Sequence, residues 1–163
     1  MKNKTIHIEL ADVLRSYNLT IGTAESCTGG TLVSHMTSFP GSSAYVKGGI
    51  VAYSNEVKAA VLGVSEEDIL QHGAVSETVV QQMVRGAQRV LACDCAVATS
   101  GISGPSGGTE EKPVGTVWIA VAYAEKIQTR RCRFIGTRAE HVQETEKEAL
   151  RMLITLIKEA HNS

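Results

Sequence analysis

Asp94-Cys95-Ala96-Val97-Ala98-Thr99-Ser100 carries no charge after its first residue and opens with four small apolar side chains in a row. A strand of that kind is buried on both faces, as in a sheet covered by helices on both sides. The fold therefore needs amphipathic helices for two faces, with this strand near the centre of the sheet. The flanking sequence supplies them. Val79, Val80, Met83, Val84, Ala87, Val90 and Leu91 make the apolar face of a helix that Ser76 caps. A capping box, Thr137-Arg138-Ala139-Glu140, opens a long last helix whose buried stripe is Val142, Ala149, Leu150, Leu153, Ile154 and Ile157.

The remaining elements follow the same logic. Ile6, Leu10, Val13, Leu14 and Tyr17 recur at helical spacing, so residues 5–17 read as a helix that Asn18 ends. A short apolar strand over 19–24 and a helix over 28–38 come next, and Pro40-Gly41 stop that helix. Gly48 to Tyr53 reads as a second strand, and Ser54-Asn55 cap a helix over 55–62 that Gly63 closes. Ser65-Glu66-Glu67-Asp68 opens a small helical turn to His72. Val114 to Tyr123 and Ile127 to Phe134 form a hairpin around Ala124-Glu125-Lys126. The order is α-β-α-β-α-α-β-β-β-α. Helical crossovers make the first three strands parallel, and the hairpin adds antiparallel ones. The expected fold is α/β: a three-layer sandwich with a mixed, mostly parallel sheet of about five to six strands and helices on both faces.

Composition narrows the class. A chain of 163 residues suits one domain, and 43% hydrophobic with 20% charged residues is ordinary for a soluble globular protein. Aromatics are only 4%, which points to a core of small side chains. The formal net charge is −1 and there is no basic block, so non-specific nucleic-acid binding gets no support. No apolar run of about 18 residues offers a membrane span, and Glu9 and Asp12 interrupt the N-terminal segment against a signal peptide. The expected location is cytoplasmic. Cys27, Cys93, Cys95 and Cys132 read as free thiols in a reducing compartment. Cys93-Asp94-Cys95 is not a CxxC pair, and no histidine cluster completes a zinc pattern, so no metal is expected.

Chemistry centres on Ala24-Glu25-Ser26-Cys27-Thr28-Gly29-Gly30, where a strand turns into a helix. Free N–H groups of the helix point at whatever sits there. Ser26 is either a nucleophile or, with Thr28, a helix cap. A serine nucleophile needs a base. His7, His35, His72, His141 and His161 come with no motif, and each reads as solvated or capping. Lys58 is the alternative. It falls in the first turn of the helix after Tyr53-Ser54-Asn55, where the helix dipole lowers the pKa of a cation. Tyr53, at the same strand end, can relay the proton or orient the lysine; otherwise Lys58 is an exposed helix lysine and Tyr53 a core-edge ring. Thr28-Gly29-Gly30 and the glycine-rich stretch Gly101 to Gly108 offer backbone N–H groups for an oxyanion, and the latter also for a phosphate. Neither a Walker A loop nor a GxGxxG fingerprint is present. Cys27, a thiol at a helix start, is the one cysteine open to activation.

Three blocks together resemble the CinA C-terminal domain family, whose characterised activity is nicotinamide mononucleotide deamidation. They are Thr23 to Gly30, Tyr53 to Lys58, and Ser100 to Pro105 with Glu111 to Val117. Pro40-Gly41-Ser42-Ser43 and His72-Gly73-Ala74-Val75-Ser76 match as well, so the likeness covers roughly residues 5–157. The resemblance implies a Ser-Lys amidase with Ser26 as nucleophile, Lys58 as base and Tyr53 assisting, and Cys27 as a bystander. It implies substrate contacts through Thr28, Gly29, Gly30, Gly101, Ser103, Gly104, Thr116 and Arg138, with no metal or cofactor. The partner is then a small nucleotide, and a homodimer is compatible with the sequence. An N-terminal domain similar to molybdopterin-binding proteins, carried by longer relatives, is expected to be absent. Relatives often show a glycine and two arginines about four residues apart at the last helix. Here Gly136 and Arg138 match, Val142-Gln143 stands at the second position, and Arg130, Arg131 or Arg133 are candidates to compensate. A nucleotide-binding module without turnover, or an amidase for another substrate, are the competing readings.

Overall fold

In the computed structural model, which describes residues 2–163 with side chains from Thr5 onward, the helix starts follow the local chemistry of the chain. Ser54, Ser65, Ser76 and Thr137 each accept a hydrogen bond from the N–H three residues on. These caps open α3 (Asn55–Leu62), α4 (Glu66–His72), α5 (Glu77–Leu91) and α6 (Arg138–Asn162). The other helices are α1 (Lys2–Ser16) and α2 (Thr31–Thr37), with one 3-10 turn at Ser42–Ala44. The strands are β1 (Ile21–Glu25), β2 (Val46–Val51), β3 (Cys95–Gly101), β4 (Thr116–Tyr123) and β5 (Lys126–Arg133). Among the described residues no helix is long and apolar enough to cross a membrane.

The five strands form one sheet in the order β2-β1-β3-β4-β5. β1 pairs parallel with β2 and β3, while β4 runs antiparallel to β3 and β5. The apolar run at 95–100 is indeed the middle strand. Alternation sorts its side chains between two cores. Ile21, Cys95, Val97, Val117, Ile119 and Val121 pack under α1, α2 and α6. Ala24, Ala96, Ala98, Ala120 and Ala122 pack under α3, α4 and α5. Alanines across that second face bring α5 close to the backbone of the sheet, and α3 and α4 pack against α5. α3 and α5 also meet closely: a Cβ on Gly86 would lie 2.2 Å from the Leu62 carbonyl oxygen.

Several expectations change. The second strand is Val46–Val51, two residues ahead of its expected position, because pairing with β1 sets Glu25 against Val51. α2 begins at Thr31, not 28, because Gly29 and Gly30 take positive φ of 58° and 100° and hold a turn there. Tyr17 is partly exposed and stacks on His161 instead of joining the core. His7 and His141, read as solvated or capping, are buried. His7 Nε2 meets Glu146 Oε1 at 2.5 Å, and His35 Nδ1 meets the same oxygen at 2.7 Å. His141 Nδ1 donates to the Ser103 carbonyl at 2.8 Å. These partners are far apart in sequence, and only packing of the helices on one face of the sheet brings them together.

Gly86 offers a test of the α3–α5 contact. In an open helix Gly→Ala stabilises by about 1 kcal/mol. Here Gly86→Ala is expected to destabilise by about 1–3 kcal/mol, the cost of overpacking, measured as a lower urea midpoint.

Candidate active site

Parallel strands β2, β1 and β3 point their carboxyl ends the same way, and the chain leaves β1 to β2 on one side and to β3 on the other. Ligands of open α/β sheets bind at such a switch point. Ser26 follows the last residue of β1 and donates its N–H to the Thr99 carbonyl on β3, at 3.0 Å. A cleft of about 440 Å³ opens above it, lined in part by Ser26, Cys27, Tyr53, Lys58, Ser103 and Arg138.

Glu25 shapes the turn that presents Ser26. Its carboxylate is fully buried at the end of β1 and faces the start of α2. Oε1 accepts from Thr28 Oγ1 at 2.7 Å, Gly30 N at 3.2 Å and Leu32 N at 2.9 Å. Oε2 accepts from Thr23 Oγ1 at 3.0 Å and Val33 N at 3.1 Å. Glu25 is thus the cap of α2, and its charge sits at the positive end of the helix dipole. Thr28, expected to cap, donates to Glu25 and lies 2.8 Å from Thr99 Oγ1. The α2 N–H groups expected to face a ligand already serve a protein anion. The available sequence signal was an acidic residue ending an otherwise apolar strand, one turn ahead of the helix.

Lys58 reaches Ser26 from the other core. It lies in the first turn of α3, 1% exposed, with Nζ 3.0 Å from Ser26 Oγ and 3.2 Å from the Tyr53 carbonyl oxygen. Among the described residues no carboxylate pairs with it. Burial pushes the Lys58 pKa below its ordinary 10.5. A neutral amine within hydrogen-bond reach of a hydroxyl can take its proton. Cys27 also borders the cleft, but burial pushes its thiol up to about 12, so it stays protonated at neutral pH. Tyr53 contacts the lysine through its backbone. Its side chain is 65% exposed, and its hydroxyl lies 3.5 Å from Arg138 Nη2.

The family model of the CinA C-terminal domain matches residues 3–157. The chain belongs to the CinA C-terminal domain family. Nicotinamide-nucleotide amidohydrolase PncC of Escherichia coli strain K12 is 52% identical over 132 residues, 80% of this chain and 79% of that protein. A CinA-like protein of Shewanella sp. strain ANA-3 is 53% identical over 118 residues, which are 72% of this chain but 28% of its own length. A CinA superfamily structure from Klebsiella pneumoniae superimposes with a TM-score of 0.94 at 34% identity, covering 98% of this chain and 99% of that one. The competence/damage-inducible protein CihA from Agrobacterium tumefaciens gives 0.88 at 38% identity, over 93% and 94%.

In this CinA domain the loop after β3 forms the far wall of the cleft. Gly101, Ser103 and Gly104 line it, joined by Ser106 and Gly107. Arg138 Nη1 donates to the Gly104 carbonyl at 2.9 Å, and His141 holds Ser103, so the start of α6 braces the loop. Arg138 has no carboxylate partner among the described residues, which leaves a guanidinium facing the cleft. Arg130 pairs with Glu148, and Arg131 donates to the Glu111 carbonyl. Neither they nor Arg133 line the cleft. Thr28, Gly29, Gly30 and Thr116 also lie outside its lining. Thr116 Oγ1 donates to the Pro113 carbonyl at 2.6 Å, and its own carbonyl accepts from Ile102 at the base of the loop. Ala74 and Val75, inside the His72–Ser76 block of the resemblance but not among the expected contacts, also line the cleft; Ser100 Oγ ties that segment to β3 through the Ala74 carbonyl.

Glu25→Gln replaces an all-acceptor group by one whose amide N–H groups face N–H donors. It is expected to lower stability by about 2–4 kcal/mol in urea denaturation. Lys58 makes a complementary case. Between its lowered pKa and 10.5 the unfolded chain holds a proton that the folded chain lacks, so stability rises with pH through that window. Lys58→Met should therefore unfold at higher urea than wild type at pH 7. The margin should shrink as pH rises through 10.5, above which both states of wild type are neutral.

Proposed function

We propose that this CinA domain is a nicotinamide-nucleotide amidohydrolase: it converts the carboxamide of nicotinamide mononucleotide to the carboxylate, with release of ammonia, in pyridine-nucleotide salvage. The observation that carries the mechanism is the buried, unpaired Lys58 Nζ at 3.0 Å from Ser26 Oγ. The substrate follows from the 52% identity to PncC over most of both chains.

Ser26 Oγ gives its proton to neutral Lys58 and attacks the amide carbon. The oxyanion that forms needs N–H donors. Those of Cys27, Ser103 and Gly104 take no protein acceptor among the described residues, and all three residues border the cleft. Cys27, next after the nucleophile, is the position that supplies such a donor in other serine hydrolases. Lys58 then returns the proton to the departing nitrogen, which leaves as ammonia, and an acyl-serine remains. Water attacks the acyl group with Lys58 again as base, which frees the nicotinate nucleotide and restores Ser26. Arg138, with Tyr53 beside it at the rim, is placed to hold the phosphate at the far end of the substrate.

Ammonia release from nicotinamide mononucleotide by the purified protein is the test. Ser26→Ala should lose about 10⁴-fold or more in kcat, and Lys58→Ala about 10²–10⁴-fold. Arg138→Ala should raise KM about 10-fold or more with a smaller effect on kcat. In wild type kcat/KM should fall as pH is lowered through an apparent pKa below 10.5, because only the neutral amine acts as base. Full activity of Ser26→Ala would remove the nucleophile, and preference for a non-nucleotide amide would remove the substrate.

A further inference from the structure

Behind the catalytic turn, three helices bring one side chain each to a common point. His7 of α1, His35 of α2 and Glu146 of α6 place a ligand atom apiece within 4.8 Å of one another. None of the three lines the cleft. We propose that they form a binding site for a divalent transition-metal ion, with Zn²⁺ as the best match to its donors. Two imidazole nitrogens and one carboxylate oxygen suit Zn²⁺ better than Mg²⁺ or Ca²⁺, which favour all-oxygen shells.

The geometry favours a metal over a simple polar cluster on three counts. Glu146 is 0% exposed, and no lysine or arginine among the described residues pairs with it. Its second oxygen, Oε2, is buried without a hydrogen-bond partner. An ionised carboxylate in that setting requires a counter-charge, and a dication supplies it. Second, the two rings stand at 87° to each other with centroids 5.9 Å apart, so their nitrogens approach Glu146 from different directions, as a tetrahedral shell requires. Phe39 stacks on His7 at 5.7 Å and fixes its ring. Third, the side chain of His35 is 48% exposed, which gives an ion a route in and leaves water for the fourth position.

Donor separations fit with small motion. Metal–ligand bonds of about 2.0–2.1 Å at a tetrahedral angle put donors about 3.3 Å apart. The present 2.5 Å and 2.7 Å contacts to Glu146 Oε1 would open by about 0.6–0.8 Å to reach that spacing, within the range of side-chain rotation. Ligation through Nε2 puts the His7 proton on Nδ1, which is buried without a partner. Affinity is therefore expected about 10–100-fold below that of a site whose histidines are both braced.

Zn²⁺ uptake measured against a chromogenic chelator tests the site in the intact chain. Wild type should bind one equivalent, and His35→Ala should bind at least about 100-fold more weakly, since losing a ligand costs more than losing its brace. Glu146→Gln should lose binding as well. Co²⁺ in place of Zn²⁺ should give the visible bands of a tetrahedral complex in wild type and none in His35→Ala. Zn²⁺ should raise the melting temperature of wild type and leave that of His35→Ala unchanged. Because His35 is half exposed, its replacement leaves the core intact, and the metal-free melting temperature checks this. Ser26→Ala keeps all three donors and should bind as wild type does, which separates this site from the amidase reading. No uptake by wild type, or equal uptake by His35→Ala through the cysteines, overturns the proposal.

Discussion

The buried carboxylate of Glu25 is the constraint on which the catalytic turn depends. A charge at 0% exposure is tolerable only when every oxygen is used, and this one accepts from two hydroxyls and three backbone N–H groups. Those bonds tie the end of β1 to the start of α2 across five residues of turn. Ser26 has little freedom left between them: its own N–H is held by Thr99 on the neighbouring strand. In the proposed mechanism, a serine held this way needs no reorganisation before attack. The same arrangement has an electrostatic consequence. The positive end of α2 is occupied by a protein anion, so a substrate anion must be met elsewhere. Arg138 and the open N–H groups of the loop after β3 are the groups left to meet it.

Lys58 is the opposite case in the same low-dielectric region. It has two hydrogen bonds and, among the described residues, no counter-ion, so its burial is only partly offset, and that incomplete compensation favours the neutral amine that the proposed mechanism needs. The fold carries this cost through ordinary packing. Ser54 caps α3 and fixes where its first turn begins. Gly86 lets α5, which lies against the alanine face of the sheet, press on the carboxyl end of α3, the helix that carries Lys58. Stability given up at one side chain is recovered over a core of small residues, the usual bargain at sites built for chemistry.

What was legible in the sequence was mainly local. The caps at Ser54, Ser65, Ser76 and Thr137 all act as expected because a cap needs only its own next three residues. The central position of β3 was legible because burial on both faces leaves a compositional mark. Lys58 was legible from its place in a first helical turn. What failed to show depended on partners distant in the chain. The cap of α2 comes from the preceding strand, so a search for Ser or Thr at the helix start finds Thr28 and misses Glu25. Pairing with β1 moved β2 by two residues. His7 and His141 look polar in isolation and are buried only because Glu146 and Ser103 lie 139 and 38 residues away. Arg130, Arg131 and Arg133 are equivalent to Arg138 by composition, yet only Arg138 starts a helix whose first turn faces the cleft.

The two cores contribute unequally to the site. The layer of α3, α4 and α5 carries Lys58, the proposed base, whereas the layer of α1, α2 and α6 holds the turn of Ser26 from behind and carries Arg138 at the cleft wall in front. α6 links those two tasks within one rigid element: Arg138 and His141 brace the loop after β3, and two turns further on Glu146 meets His35 of α2. α2 in turn begins at the N–H groups that hold Glu25. A shift of α6 along its axis would therefore disturb the loop at one end and the helix behind Ser26 at the other.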